Sequence, residues 1–152
     1  MVNAVIPIWK PKDWTSFDVV KKIRNQIKPA KVGHAGTLDP FATGVLPVCL
    51  GRATKLASIW SDANKTYQVV ASFGVKTDTQ DRTGKVLEIR DATALRAQDV
   101  VDHLAQFLGV IEQVPPMFSA VKVDGQRLYK KARKGEDVVR KPRRIEIYRF
   151  EL

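Results

Sequence analysis

Between an amphipathic helix signal and a short apolar run lies the segment Lys31-Val32-Gly33-His34-Ala35-Gly36-Thr37-Leu38-Asp39-Pro40-Phe41-Ala42-Thr43-Gly44. It constrains the fold more than any other stretch. It has neither a helical nor a strand period, which predicts a loop over 31–44. Gly33, Gly36 and Gly44 permit turns and close backbone approaches that other residues resist. Pro40 restricts Asp39 to extended or turn geometry. One carboxylate is therefore fixed on a constrained loop. Two roles fit it at this point: an aspartate that meets a substrate in one orientation, or one that stabilises its own turn.

The flanking patterns alternate between strand and helix periods. Residues 4–8 read as a strand closed by Lys10-Pro11, and Thr15 and Ser16 as N-caps of a helix from about Phe17 to Ile27. Val19, Val20, Ile23 and Ile27 form its apolar side, Lys21, Lys22 and Arg24 the other, and Pro29 ends it. The run 45–50 predicts a buried strand, and Ala53–Trp60 a short helix. Tyr67, Val69, Ala71 and Phe73 alternate with Gln68 and Ser72, the pattern of a half-buried strand. A polar loop at 77–84, a strand near 86–89 and a second amphipathic helix over about Ala97–Leu108 follow, with Gly109 as its stop. Asp124-Gly125 is a hairpin signal. A basic helix over 128–134 and a strand over Ile145–Leu152, bulged near Tyr148, complete the chain. The hairpin turns predict an α+β class: a mixed, largely antiparallel sheet with packed helices. With 44% hydrophobic residues in 152, one core is expected. The closing strand is expected to need a neighbour that the chain does not contain.

Charge narrows the function. Twenty-six Lys and Arg against sixteen Asp and Glu leave +10, which favours nucleic acid first and an anionic membrane surface second. No apolar run reaches the roughly 18–20 residues of a spanning helix, and the first residues lack a secretion-signal pattern. A cytoplasmic, membrane-free protein is expected. The excess is concentrated at 122–144, where ten cations (Lys122, Arg127, Lys130, Lys131, Arg133, Lys134, Arg140, Lys141, Arg143, Arg144) face Asp124, Glu136 and Asp137, a surplus of +7. Such a run is either a solvated face or a phosphate-binding one, and Tyr129 within it adds a stacking group. Cys49 stands alone in Val45–Leu50, so it reads as a buried thiol with no disulfide. With His34 and His103 it makes no zinc-like spacing, and no metal is expected.

Several motifs then resemble one family in order. Gly33-His34-Ala35-Gly36-Thr37-Leu38-Asp39-Pro40 with Ala42-Thr43-Gly44 resembles the catalytic motif of the TruB pseudouridine synthases. Lys10-Pro11 with Thr15-Ser16 resembles the family's opening segment, and Leu50-Gly51-Arg52-Ala53-Thr54-Lys55 the stretch after the catalytic loop. Lys65-Thr66-Tyr67, Gly74, Thr77-Asp78-Thr79 with Asp81, and Pro115-Pro116-Met117-Phe118-Ser119-Ala120-Val121-Lys122 through Gly125, Tyr129, Ala132 and Arg133 continue the series. The resemblance covers nearly the whole chain.

It implies an RNA isomerase that converts uridine in the T-arm of tRNA to its C-glycoside, with Asp39 and Tyr67 catalytic and no cofactor. His34 would occupy the space left by a flipped base, and Lys10, Lys55, Lys122, Tyr129, Lys130, Arg133 and Arg143 would contact RNA. The family's Gly-Thr-Tyr-Ile-Arg-like motif, whose arginine pairs with the catalytic aspartate, is absent from these residues, as is its PUA-type module. The chain is therefore expected to be the N-terminal part of a catalytic domain, with the rest in a missing C-terminal half. The alternatives are an RNA-binding fragment or split subunit without activity of its own, and a relative that works in a guide-RNA particle. Phosphatases with paired Asp-x-Asp are disfavoured, because no carboxylate stands two residues from Asp39.

Overall fold

The computed structural model describes residues 2–123 and 125–152. The chain forms two compact units, the first ending at Gln68 and the second spanning Val69–Leu152, where composition had suggested one core. The α+β class is as expected. All strand pairing among the described residues is antiparallel and is divided among four small sheets.

In the first unit, β1 (Ala4–Lys10) and β2 (Val32–His34) flank β3 (Gly44–Leu50) in the order β1-β3-β2. β1 runs two residues past the expected 4–8, because Trp9 and Lys10 find partners in Val45 and Gly44. The expected loop at 31–44 is partly strand: Val32, Gly33 and His34 pair with Leu50, Cys49 and Val48. α1 (Ser16–Ile27) begins at the Thr15 cap. Thr15 Oγ1 accepts from Asp18 N at 3.1 Å, and the Asp18 carboxylate accepts from Thr15 N at 2.9 Å, a reciprocal capping box. α1 packs on the sheet through Val19, which joins Leu46, Val48 and Leu50 in the buried core, with Ile6, Ile8, Ile23, Val32 and Leu38 packed around them. Cys49 is buried as expected, and burial pushes its thiol pKa up. A Cβ at Gly51 would strike the Val2 carbonyl and the Asn3 side chain, so glycine is required where β3 turns into a 3-10 stretch (Gly51–Leu56). α2 (Ala57–Asp62) follows. The helix expected over 53–60 is thus half 3-10.

The second unit differs more from expectation. The segment 64–73, of which only 69–73 belong to this unit, carries the alternation Tyr67–Phe73 but pairs with no strand among the described residues, and Val70 is 93% exposed. A period of two gives a strand only where another edge supplies hydrogen bonds. β4 (Val75–Thr77) and β5 (Val86–Ile89) enclose the polar loop at 77–84, and a bulge falls at Lys76/Thr77. α3 (Ala97–Leu104) ends in a 3-10 turn, Ala105–Phe107, and Gly109 takes the left-handed φ of 84° that stops it. β6 (Gly109–Gln113), which the sequence did not signal, pairs in regular register with β9 (Arg143–Ile147). The closing strand therefore has a neighbour within the chain, contrary to expectation. It also ends at Ile147 without the bulge expected near Tyr148, because β6 begins at Gly109, opposite Ile147. Phe150 instead meets Phe107 edge-on at 6.3 Å. β7 (Lys122–Val123) and β8 (Gln126–Arg127) form the expected hairpin; Asp124 of the turn signal lies outside the described residues. α4 (Leu128–Ala132) is shorter than the expected 128–134.

Candidate active-site loop and basic surface

The segment from Ala35 to Thr43 is held at three places, and Asp39 stands between two of them. Ala35 is buried, and its N–H donates to the Pro47 carbonyl at 2.9 Å. Leu38 packs against the core, and its backbone is gripped by Ser16 at the start of α1: Ser16 Oγ accepts from Leu38 N at 3.0 Å and donates to Leu38 O at 3.3 Å. The Pro40 carbonyl accepts from Asp13 N at 2.7 Å and from Lys10 Nζ at 3.1 Å. The residues on either side of Asp39 are therefore fixed through buried or hydrogen-bonded atoms, while Asp39 itself is exposed. Ala42 N donates to its carbonyl at 3.1 Å, closing the turn. Gly36 (φ 96°) sits at the bend before it.

Lys10 is the unusual member of this frame. The residue is 0% exposed, and its ammonium donates to three carbonyls: Pro11 at 2.9 Å, Trp14 at 2.6 Å and Pro40 at 3.1 Å. Three acceptors match the three protons of an ammonium, so a buried cation is satisfied without an ion pair at contact distance. Burial lowers its pKa, while the charges of Asp13 and Asp39 pull it back up. Lys10 was expected at the RNA surface. The structure gives it no surface at all: it ties the end of β1 to the loop that carries Asp39.

The other expected residues fall in different places. His34, half-buried at the end of β2, is oriented by a hydrogen bond between Nδ1 and the Gly36 carbonyl. Tyr67 is 63% exposed and has no hydrogen bond to Asp39 among the described residues. Its neighbour Lys65 reaches the loop: a Cβ placed on Gly36 would lie 3.9 Å from Lys65 Cε, and Lys65 Nζ donates to the Ser61 and Ala63 carbonyls at 2.6 and 2.7 Å. Lys55 is exposed in the 3-10 stretch. Among the described residues the chain carries no metal-binding cluster and no helix long and apolar enough to cross a membrane.

The basic residues of 122–144 lie in the second unit. Lys122, Lys130 and Arg133 are exposed, and the Arg133 guanidinium sits over the Tyr129 ring at 5.5 Å from its centroid, a cation–π contact. Leu128, fully buried, anchors α4, with Leu128 N donating to Val121 O and Tyr129 N to Ser119 O. Arg143 donates twice to Gln113 Oε1 across the β6–β9 ladder, at 3.1 and 2.8 Å. Of the ten basic residues of 122–144, only Arg140 has a described carboxylate within ion-pair distance, Asp137 at 3.7 Å. Lys131 and Arg140 are half-buried, and the other eight cations are exposed.

A profile described as TruB family pseudouridylate synthase (N terminal domain) matches residues 24–152. The chain belongs to the TruB family. Two similar curated proteins are named tRNA pseudouridine synthase B: one from Clostridium kluyveri, 48% identical over 99% of this chain and 52% of its own length, and one from Symbiobacterium thermophilum, 52% identical over 99% of this chain and 50% of its own. The chain spans about half the length of the curated relatives it matches. A crystal structure of a Cbf5-Nop10-Gar1 complex shares the fold, with a TM-score of 0.58 and 24% identity over 97% of this chain and 35% of that one.

Within the TruB family frame, two loop clamps had escaped the sequence. Ser16 reads as a helix cap, yet its hydroxyl is spent on Leu38; Asp13 contributes only its backbone. A buried lysine has no sequence signature that separates it from an exposed one. The one available hint was Lys10 at the end of an apolar strand, directly before Pro11.

Proposed function

We propose that this chain is the N-terminal part of a tRNA pseudouridine synthase that isomerises a uridine in the T-arm, with Asp39 as the catalytic carboxylate. The observation that carries the reading is the exposed carboxylate of Asp39 on a loop fixed on both sides by Ser16, Lys10 and Asp13. Isomerisation breaks the N1–C1′ bond, turns the base and joins C5 to C1′. The proton lost from C5 is balanced by one gained at N1, so no redox partner or cofactor is required. A carboxylate fixed before the substrate arrives supplies the positioning on which such catalysis rests.

Tyr67 presents an exposed ring and hydroxyl, a face on which a flipped uracil can stack and a group suited to proton transfer. His34, oriented by Gly36, fills the place the base leaves. Lys55 and the residues Lys122, Tyr129, Lys130, Arg133 and Arg143 bind the RNA backbone and stack on its bases, consistent with the unpaired cations of this surface. The remaining half of the relatives' length would supply the arginine that faces Asp39. Relatives at 48% and 52% identity carry tRNA in their name, which supports tRNA over a guide-RNA particle. The test is to incubate the complete encoded protein with a tRNA transcript and map pseudouridine along it. Modification confined to the T-arm is expected; modification elsewhere, or none, would refute the assignment.

A further inference from the structure

One flank of α1 carries Phe17, Lys21, Arg24 and Lys28 at spacings of four, three and four, so they form a single stripe along the helix. All four are exposed, and Phe17 is 58% so. None of the three cations has a carboxylate within ion-pair distance among the described residues. Asp18 is the only acid of α1, and its carboxylate is committed to the Thr15 N–H and hydroxyl. The helix dipole favours cations in the last turn only, so it accounts for Arg24 and Lys28 but not for Lys21, nor for an exposed phenyl at the first turn. Lys28 occupies the left-handed C-cap, φ 50°, a position suited to glycine.

We infer that this stripe is a second RNA-contacting surface, which grips the sugar–phosphate backbone of the tRNA next to the Asp39 loop. The inference rests on the proposed function and deepens it. The stripe begins one residue after Ser16, whose hydroxyl holds Leu38, so its first turn is joined directly to the loop. Successive cations stand about 5–6 Å apart on the helix surface, an arrangement that meets consecutive phosphates, while Phe17 at the loop end offers a face to an unstacked base. Charge complementarity selects a polyanion, and the aromatic beside the loop selects a nucleic acid over an anionic bilayer.

The experiment uses the complete encoded protein. Binding of a tRNA transcript is titrated at several salt concentrations for the parent, for Lys21→Gln/Arg24→Gln/Lys28→Gln, for Phe17→Ala, and for Lys22→Gln, which lies roughly 160° around the helix from Arg24. The triple variant should weaken binding, and its log–log salt slope should be shallower by about 0.7–0.9 for each phosphate that is no longer neutralised. Phe17→Ala should lose about fivefold or more with an unchanged slope. Lys22→Gln should match the parent. Unchanged melting of every variant shows that binding, not folding, was altered. An unchanged slope in the triple variant, or an equal effect from Lys22→Gln, overturns the stripe. Pseudouridine formation by the parent is scored in parallel, so an active parent with an unaffected triple variant refutes the stripe alone, and an inactive parent refutes the enzymatic reading alone.

Discussion

Removing the Lys10 ammonium distinguishes an anchor of the Asp39 loop from an RNA contact. Lys10→Met keeps the length of the stem and deletes the charge, so no cavity opens. The Pro40 carbonyl retains Asp13 N–H at 2.7 Å, which leaves the carbonyls of Pro11 and Trp14 without their donor. Hydrogen bonds from a charged group contribute about 1.5–3 kcal/mol each. Relief from holding an ammonium out of water offsets part of that loss, so the net destabilisation is about 2–4 kcal/mol. In a protein of this size that lowers the melting temperature by roughly 5–15 °C. The Pro40 side of the Asp39 loop also loosens. A displacement near 1 Å lowers catalysis by about 100-fold, so kcat should fall about 10- to 100-fold while KM for tRNA and the salt dependence of binding hold. Thermal melting, single-turnover kinetics and salt-dependent binding of the complete protein measure all three. Unchanged melting and kcat with weakened, less salt-dependent binding would place Lys10 at the RNA surface and refute the anchoring role.

Three further outcomes are expected. Cys49, 0% exposed and with its thiol pKa raised by burial, should resist maleimide in the native protein and react only in denaturant; rapid native labelling would show that β3 opens. Burial raises the pKa of Asp81, but bonds from the Thr83 hydroxyl and N–H and the Thr79 hydroxyl, with the Arg82 charge, bring it below the ordinary value. Ionised Asp81 therefore stabilises the 77–84 loop above the unfolded carboxylate pKa of about 3.9, and that stabilisation is lost as pH falls through the lower folded value. The protection of the Thr83 amide, relative to its intrinsic exchange rate at each pH, should fall in that acidic window, and a flat protection profile would contradict it. Replacing Lys130, Lys131, Arg133 and Lys134 with Gln should weaken tRNA binding and flatten its salt dependence; an unchanged slope would make 128–134 merely a solvated face.

What could be read from sequence follows the range of the interactions. The Thr15 cap, α1, β3, the stop at Gly109 and the hairpin strands about Gly125 depend on neighbours a few residues away, and their signals are local. The misreadings are non-local. β2 is strand only because β3 passes beside it, and β6 exists because Arg143–Ile147 returns to it across some thirty positions. The alternation at Tyr67–Phe73 has the strand period without a partner edge among the described residues, and a period alone cannot report that. At the loop, Gly36 and Asp39-Pro40 were legible as a constrained turn, since φ restrictions belong to single residues. The clamps were not: Ser16 and Leu38 are 22 positions apart and Lys10 and Pro40 are 30 apart, and burial of Lys10 depends on all of them together.

The proposed function assigns the isomerisation to Asp39, exposed between two fixed neighbours. Asp39→Asn in the complete protein changes its charge with almost no change in volume and leaves the backbone bonds of Leu38 and Pro40 in place. Pseudouridine mapping on a tRNA transcript, with binding measured on the same preparation, tests it directly. Loss of all pseudouridine with tRNA affinity within a few-fold of the parent is the predicted result. Substantial turnover by the Asn variant would show that Asp39 is not the catalytic carboxylate.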